Sequence, residues 1–85
     1  MGGGKMYKTF TQMNELLRTA AQISPKNCGG KKIEDIAAET NISTAMLYKW
    51  RSGNNMSLDK LDVLLNYFQT NEPNRLEMAE RILGW

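Results

Sequence analysis

The stretch from Ile33 to Gly53, IEDIAAETNISTAMLYKWRSG, leaves the chain few alternatives. Its apolar residues Ile36, Ala37, Ile42, Leu47 and Trp50 recur at helical spacing on either side of a polar break. That pattern predicts two short helices meeting at a tight turn, with their inner faces closed on each other. Ala37 is small where the first helix has to approach the second closely. Asn41 falls in the turn, and asparagine tolerates a left-handed backbone better than most residues with a Cβ. Ser43 takes the N-cap, its hydroxyl accepting from a free amide of the next turn, so Thr44 opens the second helix. Gly53 stands where a helix C-terminus commonly needs positive φ. The spacing is that of a helix-turn-helix.

At about 100° per residue, Leu47 and Trp50 share the inner side of the second helix. Ala45, Lys49 and Ser52 lie on the outer side, bordered by Tyr48. A helix of about eight residues is roughly 12 Å long, which suits a major groove about 12 Å wide. The residues IAAETNISTAMLYKWRSG, followed by MSLDKLDVLLNYF, resemble the Cro and lambda-repressor-like helix-turn-helix proteins over roughly Lys31 to Phe68. LYKWR alone also resembles the helix-turn-helix of insertion-sequence transposase subunits, but the SG turn and the leucine-rich helix after it favour the repressor-like group. The chain departs from the family in having Asn41 where glycine is usual, and Lys32 where Thr or Ser often precedes the helix.

The expected fold is an all-α, compact five-helix, lambda-repressor-like domain with a central helix-turn-helix. The resemblance implies a sequence-specific double-stranded DNA-binding protein, a transcriptional regulator of the phage- or plasmid-associated kind. Groove chemistry then assigns roles. Lys49 can donate to guanine O6 and N7, Thr44 offers a hydroxyl or a methyl, and Ala45 suits a thymine methyl. Tyr48, Arg51, Lys32 and Asn54 are expected at phosphates, which set position and not sequence, and Ser43 completes the DNA-facing set. Two alternatives stay open: a DNA-targeting subunit of a transposase or recombinase, and a helical protein-interaction module or antitoxin. The second draws on an outer face of Ala45, Tyr48 and Lys49 that is not strongly basic.

Composition removes other classes. With no histidine and a single cysteine, Cys28, these residues hold no Ser-His-Asp triad, no Cys-His pair, no zinc ribbon and no internal disulfide. No catalytic, cofactor-binding or metal-binding residue is expected, and Cys28 reads as a reduced cytoplasmic thiol. Glu34, Asp35 and Glu39 read as a solvated helix face. No apolar run approaches the roughly 20 residues of a membrane span, so a cytoplasmic location is expected. A chain this short buries only about 60% of its unfolded surface, which makes stability modest. The net charge of +2 is small but unevenly placed. Residues 1–32 carry six Lys or Arg against one Glu, and residues 54–85 carry three against five acids, so a phosphate-facing side and an acidic side are expected.

In chain order, residues 1–8 read as a flexible leader opening with MGGGK, and 9–85 as the domain. A first helix follows from Phe10, Met13, Leu17, Ala20 and Ala21, capped by Thr9 or Thr11. Pro25 ends it, and the basic loop PKNCGGKK is longer than the family usually places there. It lacks the residues of a phosphate-binding P-loop, although its lysines could meet DNA phosphates. Ser57 opens a further helix with the expected core stripe Leu58, Leu61, Leu65 and Phe68. A break at Asn71 to Pro73 leads into the last helix, whose Leu76, Ile82, Leu83 and Trp85 exceed what covering the core requires. That surplus predicts a homodimer formed through the C-terminal helix.

Overall fold

The computed structural model describes residues 9–85, so the expected leader lies outside the described residues. Six helices follow one another: α1 Phe10–Gln22, α2 Pro25–Cys28, α3 Ile33–Thr40, α4 Thr44–Arg51, α5 Leu58–Asn71 and α6 Pro73–Leu83. There is no strand among the described residues. Five of these helices are the expected ones. The addition is α2, a single turn inside the basic loop. Ser24 caps it by accepting from the Lys26 amide, Pro25 fills a first position that needs no donor, and Gly29 ends it at φ 69°. Four residues are too few to show a periodicity, which is why the pattern does not announce this turn.

Local chemistry sets the remaining ends. Thr9 accepts from the Gln12 amide at 3.0 Å to start α1. Asn41, at φ 59°, is the single non-glycine residue with positive φ among those described, and it makes the turn between α3 and α4. Between α5 and α6 the chain turns on Glu72 alone, because Pro73 cannot continue α5 and is suited to begin α6.

The core gathers Leu16, Leu17 and Ala20 of α1, Ile36 of α3, Leu47 and Trp50 of α4, Leu61, Leu64 and Phe68 of α5, and Ala79 of α6. Two expected faces are rotated from where the pattern placed them. On α5 the buried set is Leu61, Leu64, Tyr67 and Phe68; Leu58 is 53% exposed and Leu65 is half-buried. On α1, Leu16 and Asn14 are buried and Phe10 is exposed. Both helices touch three or more neighbours, so each buries a broad face whose centre a sparse apolar pattern does not locate.

The corner between α5 and α6 also ties down the basic loop. Arg75, 1% exposed, donates to the carbonyls of Ile23 at 2.7 Å and Lys31 at 3.0 Å and pairs with Glu72 at 2.9 Å. Glu72 in turn accepts from the Tyr67 hydroxyl and from the Lys31 amide. Burial first, and the hydrogen bond to Glu72 second, raise the Tyr67 phenol well above its ordinary range, so it remains a donor. Asn74 adds a bond to the Cys28 carbonyl at 3.0 Å. Gly30 passes so close that a Cβ there would overlap the Glu72 carboxylate. Glycine is needed at this position for close approach.

Candidate nucleic-acid interface

The helix expected to read bases is held from the inside and bare on the outside. Its N-terminus is capped by Ser43, whose hydroxyl accepts from the Met46 amide at 3.1 Å. Leu47 and Trp50 are buried, while Thr44, Ala45, Met46, Tyr48 and Lys49 are exposed. Met46 is absent from the sequence-based set. Its position between Ala45 and Leu47 was compatible with an inner or an outer place, and its exposure decides for the outer one.

An α-helix leaves its last four carbonyls without partners inside the helix, yet in α4 all four are satisfied. Tyr48 O accepts from Ser52 N and Oγ, and Lys49 O accepts from Ser52 N, Asn54 N and Asn54 Nδ2. Trp50 O accepts from Gly53 N and from Arg18 Nε at 2.7 Å, and Arg51 O from Gln22 Nε2 at 3.0 Å. Arg18 also reaches Asn54 O at 3.0 Å and Asn55 Oδ1 at 3.1 Å. One turn earlier on α1, buried Asn14 accepts from Trp50 Nε1 at 3.1 Å and Met56 N at 3.0 Å. Asn14, Arg18 and Gln22 therefore form a row at four-residue spacing that grips the C-terminal half of α4. The Arg18 cation also stands at the negative end of the α4 dipole.

Sequence reasoning missed these three residues. The available signal was their spacing beside the apolar face of α1, where one polar row has to border whatever that face covers. Arg18 counted there as part of a basic surface, but it is half-buried and works as a cap. Asn54, expected at a phosphate, has its side-chain amide engaged with the Lys49 carbonyl and its own carbonyl with Arg18.

The other expected phosphate contacts come together at one edge of α4. Lys32 immediately precedes α3 and makes no side-chain cap. Ser24, Lys32, Glu34, Tyr48 and Arg51 line a cleft of about 180 Å³ between the α3 N-terminus and the end of α4. The Tyr48 hydroxyl donates to Glu34 Oε2 at 2.7 Å, and the Arg51 guanidinium lies 5.6 Å from the Tyr48 ring centroid. The tyrosine bond first, then the Glu34 backbone amide, and further the charges of Lys32 and Arg51, hold the Glu34 carboxyl below its usual range. The same hydrogen bond raises the Tyr48 phenol. Thr44, Ala45 and Lys49 share the exposed surface of α4, with Tyr48, Arg51 and Lys32 along one flank.

No helix among the described residues is long and apolar enough to cross a membrane. No curated protein and no solved structure matches the chain. One family's sequence model, described as the Cro/C1-type HTH DNA-binding domain, matches residues 29–74. The match runs from the end of the basic loop through α3, α4 and α5 into the start of α6 and takes in more than half of the chain. It leaves out α1, which supplies the grip on α4. With an all-α fold, a tight turn at Asn41 between α3 and α4 and a match spanning both helices, the chain belongs to the Cro/C1-type helix-turn-helix DNA-binding domain family.

Proposed function

We propose that this protein is a sequence-specific transcriptional regulator of phage or plasmid type that reads the major groove of double-stranded DNA with α4. The observation that carries this reading is the contrast between the two sides of α4. Its buried side and all its end carbonyls are engaged, while Thr44, Ala45, Met46 and Lys49 stand exposed. Lys49 donates to guanine, Thr44 offers hydroxyl or methyl, and Ala45 and Met46 meet thymine methyls. Ser43, Tyr48, Arg51 and Lys32 set position on the phosphates, while Asn54 closes the end of α4 through the Lys49 carbonyl.

Selection of bound duplexes from a random pool, repeated at several salt concentrations, tests this. With about four to six phosphates neutralised per bound unit, log K against log salt should fall with a slope of roughly −4 to −5. Lys49→Ala should relax base preference by about 1 to 3 kcal/mol at one position and leave the fold intact. A flat salt response with no preferred sequence would reject the DNA reading. It would favour the rival in which exposed Met46 and Tyr48 dock a protein partner.

The same proposal includes a symmetric dimer on DNA. One short helix reads few base pairs, whereas two domains related by a twofold axis read half-sites about 34 to 36 Å apart. The apolar surplus on α6 is smaller than the pattern implied. Leu76 is buried in the core and Leu83 is packed against it, which leaves Ile82, 64% exposed, and Trp85 at the surface. Ile82→Asp is therefore the proper probe. In sedimentation, two chains should load on a full palindrome, and the substitution should reduce this to independent loading with unchanged folding. One chain per palindrome at saturation would rule the dimer out.

A further inference from the structure

We infer that Glu34 is a built-in counter-charge that occupies, in the free protein, the place a DNA phosphate takes in the complex, and so sets how tightly any duplex is held. The inference rests on the DNA-binding reading and concerns a residue with no role in it. Glu34 is exposed and lies in the first turn of α3, at the edge of α4. Its carboxylate accepts the Tyr48 hydroxyl at 2.7 Å, and it lines one cleft with Lys32, Tyr48 and Arg51. Those three are among the groups proposed to hold phosphate. A carboxylate presents the same kind of acceptor oxygens and the same sign of charge as a phosphate. It already satisfies the tyrosine donor and offsets the charge of the two cations.

An arriving phosphate must therefore take the Tyr48 donor from Glu34 and approach a negative charge that has no route out of the site. The side chain can swing aside but stays on α3. Because an exposed charge acts over a Debye length of about 8 to 10 Å, the effect is local, and the position of the acid matters more than the count of acids. Asp35, the next residue in the same exposed turn, supplies the control. It has the same charge and the same relation to the α3 dipole, and it is not among the residues lining the cleft.

The test is duplex binding by the parent chain, Glu34→Gln and Asp35→Asn across a salt series, with a thermal melt of each. Glu34→Gln should bind both preferred and random duplexes about three- to tenfold more tightly. Its slope of log K against log salt should steepen by about one, because one more cation becomes available to phosphate. Asp35→Asn should gain less than half as much on a logarithmic scale. Glu34→Gln binding no more tightly than the parent, or Asp35→Asn matching it, overturns the inference and leaves the DNA reading standing. A parent chain that binds no duplex at any salt removes that reading, and this inference goes with it.

Discussion

Trp50→Ala is expected to lower the free energy of unfolding by about 3 to 5 kcal/mol, measured by urea denaturation. Small domains have only about 5 to 15 kcal/mol in total, so the variant should be largely unfolded or close to it at 37 °C. The effect is large because Trp50 is 1% exposed and is the bulkiest of the fully buried side chains. It touches the core from the helix proposed to read bases, and its indole donates to Asn14 Oδ1 at 3.1 Å. Removing the ring opens a cavity and leaves Asn14, itself buried, with the Met56 amide as its remaining donor. Trp50→Phe should cost less, on the order of 1 to 3 kcal/mol, since most of the volume stays and only the indole donor is lost. If Trp50→Ala unfolded with the parent's midpoint, the inner face of α4 would be wrongly assigned. Every residue placed on its outer face would then move with it.

That inner face is the part of the structure most legible in the sequence. A turn at Asn41, a cap at Ser43 and a stop near Gly53 are local events, decided by backbone conformation and by donors within a few residues. They bracket α4 without knowledge of any other helix. The exposed set Thr44, Ala45, Tyr48 and Lys49 follows from the same bracket, because two buried anchors three residues apart settle the orientation of a helix of eight residues. Long-range contacts were not legible in this way. Arg18 reads as a surface cation until a carbonyl 32 residues away is placed beside its guanidinium. Leu58 and Leu65 satisfy a helical spacing as well as Leu64 does, and only the neighbours of α5 choose among them. Glu34 shows a third case. Its exposure fits the solvated helix face expected for it, but the bond to Tyr48 depends on how α3 crosses α4, which apolar spacing does not specify.

Arg75→Met is expected to destabilise the fold by about 3 to 5 kcal/mol, although methionine fills much of the same space. The substitution strands the Glu72 carboxylate in a site where both partners are nearly inaccessible to water. It also removes the donors that meet the carbonyls of Ile23 and Lys31, and the cation lying 5.7 Å from the centre of the Phe68 ring. Adding Glu72→Gln should separate these effects. If the loss came only from an unpaired charge, neutralising Glu72 would recover most of it, since a buried ion pair replaced as a whole is often neutral. Recovery should instead be partial, because a buried carbonyl left without a donor, here that of Ile23, costs about 1 to 3 kcal/mol whatever the state of Glu72. The residual loss should appear as faster amide exchange in the loop between α1 and α3, where Lys31 is held through its amide by Glu72 and through its carbonyl by Arg75. Full recovery in the double variant, or protection of that loop unchanged in Arg75→Met, would show that the α5–α6 corner does not anchor it. The basic loop would then reach the α3 N-terminus held by its own one-turn helix and the Asn74 bond to Cys28 alone.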